Sequence, residues 1–134
     1  MAGGTSAAPG QFPHQVSLRN VSRGNTHFCS GSVIDHFFLL TAASCFTYGF
    51  TPGAIQIVAG VHELNATGGT EQVCSVGRAI IHENYNTTTW DNDIALLILN
   101  EPLRFDDYTK PIRLRSREKG KTCPYSIELA MEIL

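Results

Sequence analysis

Leu39-Leu40-Thr41-Ala42-Ala43-Ser44-Cys45 closes an apolar run that starts just after Cys29-Ser30-Gly31-Ser32. Between the two cysteines lie Val33-Ile34 and Phe37-Phe38-Leu39-Leu40, short and turn-bounded in the manner of a buried β-hairpin. The small residues Thr41-Ala42-Ala43 let the chain turn tightly beside Cys45, where a side chain can be held at the rim of a sheet. Farther on, Trp90-Asp91-Asn92-Asp93-Ile94-Ala95-Leu96-Leu97 puts an acid, Asp93, at the head of a second buried strand. A tight turn and a strand-head acid together look like half of a nucleophilic triad.

Outward from this pair the chain keeps the same character. Residues 11–20 alternate as a strand, with Pro13 near its start, where a missing amide does least harm. The hairpin strands are expected over residues 27–35 and 37–42, and a fourth over 56–61 after the Pro52-Gly53 turn. Residues 71–82 predict a fifth strand long enough to bend, with Gly77 as a candidate bulge. Residues 92–99 predict a sixth, stopped by Asn100-Glu101-Pro102. Six short strands between Gly, Pro and Asn turns, with no convincing helix, argue for an all-β fold: a single six-stranded antiparallel barrel.

The 134 residues fit one domain able to bury a core. An apolar fraction of 43% with 16% charged residues is that of a globular chain. The net charge of −2 gives no ground for nucleic-acid or membrane affinity, and no apolar run is long enough to span a bilayer. Residues 1–10 have neither the basic start nor the apolar centre of a signal peptide. Three sequons, at Asn20, Asn65 and Asn86, all in expected loops, nevertheless fit a secreted glycoprotein ancestry. Lys110, Arg113, Arg115, Arg117, Lys119 and Lys121 form a basic stretch that reads as a solvated linker, since no aromatic residues interleave for base stacking.

From Gly3 to about Cys123 the chain resembles the trypsin/chymotrypsin-like serine proteases, whose marks include a Leu-Thr-Ala-Ala-His-Cys turn and an Asp-Ile-Ala-Leu-Leu strand. The matching stretches are Pro9-Gly10-Gln11-Phe12-Pro13, His27-Phe28-Cys29, Leu40 to Cys45, Ile81 to Asn86, Asp93 to Leu97 and Lys110-Pro111-Ile112. The resemblance implies that residues 1–123 are the first barrel of a two-barrel fold with the strap that follows it. Residues 124–134 are then a divergent tail, which a short helix capped by Ser126 would fit. It implies extracellular location and no cofactor. It also implies that Asp93 is the retained triad aspartate and that Ser44 stands where the family has its catalytic histidine. The nucleophilic serine, the oxyanion hole and the specificity pocket belong to the family's second barrel, and no Gly-Asp-Ser-Gly-Gly occurs in this sequence. Met1-Ala2-Gly3-Gly4 replaces the cleavable Ile-Val-Gly-Gly start.

Four cysteines allow three pairings. The resemblance implies that the family bridge beside the histidine corresponds to Cys29–Cys45; a Cys74–Cys123 bridge is open but has no family counterpart, and two orphan thiols are the favoured alternative. Ser44 cannot act as a base, because a hydroxyl is neither basic nor charged near neutral pH, whereas an imidazole titrates near ~6.5. A Ser44–Asp93 nucleophile–base dyad is rejected, since a carboxylate with a reference pKa of ~3.9 deprotonates an alcohol too poorly. Asp93 is expected to face a gap that the short serine leaves, filled by water or left poorly solvated. His14, His27, His36, His62 and His82 read as surface or packing residues, with no metal-site spacing among them.

Three functions fit. The chain is a proteolytically inactive homologue, a pseudoprotease that works through protein binding or self-association by an exposed inter-barrel face. Alternatively it is a serine endopeptidase whose site a longer form or a partner chain completes. The third alternative is a non-functional gene-model fragment. The serine at position 44 favours the first.

Overall fold

The computed structural model describes residues 3–47, 49, 51–64 and 68–114. Asn65, the basic positions from Arg115 onward, Cys123 with the boundary behind it, and the tail helix at Ser126 lie outside the described residues.

The strands are β1 (Gln15–Asn20), β2 (Thr26–Val33), β3 (Phe38–Thr41), β4 (Ile55–Ala59), β5 (Gln72–Ile81) and β6 (Ala95–Leu99). They close into one barrel in the order β1-β2-β3-β6-β5-β4, every pair antiparallel. This is the six-stranded antiparallel barrel that the turn spacing predicts. Closure leaves no strand edge open to pair with another chain.

Period-two alternation builds the core. Val16 and Leu18 of β1, Leu39 of β3, Ile55, Ile57 and Ala59 of β4, and Ala95, Leu97 and Leu99 of β6 all point inward, none more than 3% exposed. Each such large side chain contributes roughly 1.5–3 kcal/mol relative to its exposed state. Leu103, just beyond β6, joins the same cluster.

Most differences from the expected strands lie at their ends and have local causes. Residues 8–14 turn rather than extend, with Gln11 N–H on the Ala8 carbonyl and Gln15 N–H on that of Phe12, so β1 starts two residues after Pro13. β4 ends at Ala59 because Gly60 takes φ +70°, and a Cβ there would collide with the Thr70 carbonyl. The β5–β6 register jumps between Val76 and Arg78, so Gly77 is the bulge. Asn20 is the last residue of β1, 5% exposed, which agrees with the strand expected to end there and corrects the expectation that its sequon lies in a loop. Three short 3-10 turns, Val21–Arg23, Ala43–Phe46 and Pro52–Ala54, are the helical segments among the described residues.

Candidate active site

The register explains why two residues 49 apart in sequence meet. Thr41 pairs with Ala95 as the last rung between β3 and β6. The chain leaves β3 just after this rung and enters β6 just before it, so residues 42–44 and 92–94 spring from one point on the barrel rim. After Thr41 the chain folds into the 3-10 turn Ala43–Phe46, whose leading residue Ala42 offers no side-chain cap. The cysteine on this turn forms the Cys29–Cys45 disulfide, tying the turn to β2 with a Cα–Cα distance of 6.1 Å. The Thr41 hydroxyl donates to the Ser30 carbonyl at 2.7 Å and fixes the same corner.

On the opposite side the chain does not run straight into β6. Trp90 and Asn92 adopt φ +63° and +56°, and Ile94 N–H reaches back to the Asn92 carbonyl at 2.8 Å. This three-residue turn breaks the extended path that the sequence suggested for residues 92–94. The bend delivers the Asp93 carboxylate to the Ala43–Phe46 turn.

Asp93 meets Ser44 twice. The Ser44 backbone N–H donates to Oδ1 at 2.7 Å, and the Ser44 hydroxyl donates to Oδ2 at 2.9 Å. Both carboxylate oxygens are therefore engaged by one residue, and the expected gap is absent. The backbone amide, which sequence reasoning did not consider, makes the shorter contact. Asp93 thus supplies from a distance the cap that Ala42 lacks. Chemically, the pair holds a hydroxyl donor and an amide donor against one carboxylate, with no imidazole between them.

No histidine reaches this pair among the described residues. His14 packs edge-on against Phe12, with centroids 6.5 Å apart, and burial lowers its pKa. His27 Nδ1 pairs with the fully buried Ser17 hydroxyl at 2.7 Å, and Arg19 Nε donates to that same oxygen at 3.3 Å. Burial, then the Arg19 charge, lowers the His27 pKa. His36 stacks on Phe105 at 3.9 Å and bonds the Leu103 carbonyl through Nδ1. His82 Nδ1 accepts the Asn84 amide at 3.0 Å. His62 borders a small cavity of about 70 Å³ beside residues 7–12. Among the described residues no three His, Cys, Asp or Glu side chains converge as a metal site. Cys74 is a free, buried thiol whose pKa is raised by burial and then by Glu101.

A sequence model of the trypsin family matches residues 1–126. The chain is 38% identical over 118 residues to trypsin-1 of Astacus astacus, covering 85% of this chain and 49% of that protein. It is 38% identical over 120 residues to coagulation factor IX of Cavia porcellus, covering 88% of this chain and 40% of the relative. The factor IX of Oryctolagus cuniculus is 39% identical over 120 residues, with 88% and 42% covered. The chain belongs to the trypsin family. It spans about half the length, or less, of these curated relatives.

Within this trypsin-family barrel the structure brings Ser44, Asp93 and the Cys29–Cys45 bridge together. It leaves Asn20 and Asn86 outside the site, Asn20 at the end of β1 and Asn86 in the β5–β6 connection. The Ser17–His27 pair was not foreseen. Its only sequence signal is that Ser17 falls on the outward register of β1, where a buried hydroxyl needs a partner.

Proposed function

We propose that this barrel is a non-catalytic member of the trypsin family, a pseudoprotease that acts by binding protein rather than by cleaving it. The observation that carries the reading is the double contact of Ser44 with Asp93. The family's own triad is the reference case for this chemistry: an imidazole takes the nucleophile's proton and returns it to the leaving group. At the corresponding position here the carboxylate orients a hydroxyl and an amide, neither of which accepts a proton near pH 7. The aspartate has become a staple between the β6 head and the disulfide turn. The reading holds whether or not further sequence supplies a second barrel, because the base is missing in either case.

Binding is supported by apolar residues on the same ribbon. Ile80, Ile81 and Ile94 are 40, 43 and 43% exposed, and the pairing of Ile81 with Ala95 places them along one end of β5 and β6. The proposed partner is another protein chain, a second copy of this one included. Extracellular residence is supported by the disulfide and by the family.

The test is hydrolysis of Arg-, Phe- and Ala-ester substrates by the purified chain. No turnover above buffer, and no labelling by an active-serine reagent, is the expected result. Turnover that co-purifies with the protein and disappears with that reagent overturns the reading.

A further inference from the structure

The two described sequons are opposite cases. Asn20 lies between two neighbouring strands, paired with Thr26 on β2 and Ile55 on β4. It is 5% exposed, and its Oδ1 accepts the Ser22 amide at 3.0 Å, capping the Val21–Arg23 turn. An oligosaccharide joined to this side chain would have to open the barrel wall between β1 and its neighbours.

Asn86 is exposed in the β5–β6 connection. Its Oδ1 accepts the amides of Thr88 and Thr89 at 2.8 and 3.1 Å, an Asx turn within the sequon itself. Its backbone N–H bonds the Asp91 carbonyl at 3.0 Å, and its carbonyl receives the Trp90 amide at 2.7 Å. The Asn86 backbone and Oδ1 thus supply four of the hydrogen bonds that hold the loop, beside those from Asp91 N–H to the Thr89 hydroxyl and from Asn92 Nδ2 to the Asn84 carbonyl. The atom that glycosylation uses, Nδ2, has no partner among the described residues, so its substitution breaks no contact of the fold.

We infer that Asn86 carries an N-linked oligosaccharide in the folded protein and that Asn20 does not. The step transfers an oligosaccharide from a lipid pyrophosphate donor of the secretory compartment. The bond from sugar C1 to the pyrophosphate oxygen breaks, a C1–Nδ2 bond forms, Nδ2 gives up one proton, and the lipid pyrophosphate leaves. The sugar then stands on the loop that presents Trp90, 66% exposed, beside the rim where Asp93 meets Ser44.

The test is expression of the full 134-residue chain behind a cleavable secretion leader in cultured mammalian cells. Protein with the Cys29–Cys45 bridge closed is collected from the medium, or from the cells where it is retained, and mapped by mass spectrometry after peptide-N-glycosidase. Position 86 should read as Asp in most molecules, and position 20 as Asn. Asn86→Gln and Thr88→Ala should each remove the oligosaccharide at that position, while Thr88→Ser, which keeps the sequon, should retain it. Position 86 read as Asn in most bridge-closed molecules, or position 20 read as Asp there, overturns the inference.

Discussion

Removing the Ser44 hydroxyl and the Asp93 carboxylate, separately and together, measures whether the pair is a staple. Ser44→Ala deletes one bond of 2.9 Å and leaves the 2.7 Å amide bond in place. A hydrogen bond to a charged group contributes ~1.5–3 kcal/mol, and the half-buried setting puts this one near ~1–1.5 kcal/mol. Asp93→Ala deletes both bonds and leaves the Ser44 amide, in a turn with no side-chain cap from Ala42, without its acceptor. Losing a cap alone costs ~1 kcal/mol, so this variant should lose roughly 2–4 kcal/mol. Once the carboxylate is gone the hydroxyl has nothing to donate to, so the double variant should be no less stable than Asp93→Ala. The resulting coupling energy is about 1 kcal/mol. Urea unfolding in oxidising buffer, followed by far-ultraviolet circular dichroism, reads all four species. A coupling within ~0.3 kcal/mol of zero, or an Asp93→Ala cost no larger than that of Ser44→Ala, would refute the staple.

The Cys29–Cys45 bridge closes a loop with a sequence separation of 16, so replacing both cysteines by alanine should cost ~3 kcal/mol by the chain-entropy estimate; an unchanged urea midpoint would contradict this. Burial, with Arg19 in addition for His27, holds His14 and His27 below the ordinary imidazole value of 6.5. The unfolded chain therefore binds more protons than the folded one just below pH 6.5, and stability present above that value should fall as the pH drops through the folded pKa values. His27→Gln should flatten the fall below pH 6.5, and an identical slope in the variant would remove His27 as its source. The exposed Ile80, Ile81 and Ile94 should make the chain self-associate with rising concentration, and Ile81→Glu should suppress it; a wild-type chain that sediments as a monomer at every concentration counts against that surface.

The barrel was legible because apolar alternation and Gly, Pro and Asn turns mark each strand independently, and Gly77 even marked the bulge. The pairing of Ser44 with Asp93 was legible as a juxtaposition, since both positions fall at the ends of strands that the family resemblance places side by side. Its geometry was not. Side-chain length alone suggested a gap, whereas the backbone amide of Ser44 and the left-handed Asn92 close it. Asn tolerates positive φ better than most residues, so Asp91-Asn92-Asp93 held that signal within what reads as a continuous strand. Asn20 does close a strand, as the alternation over residues 11–20 indicates, and it is its pairing on both sides, to Thr26 and Ile55, that keeps its sequon out of a loop.

On the proposed reading, position 44 lacks the base on which the family's chemistry depends. That reading is tested most directly by joining this barrel, with its start changed to a cleavable Ile-Val-Gly-Gly, to the second barrel of an active family member. Ester hydrolysis is then measured with Ser44 in place and with Ser44→His. Hydrolysis is expected only with Ser44→His; comparable turnover with Ser44 left in place would contradict the non-catalytic reading.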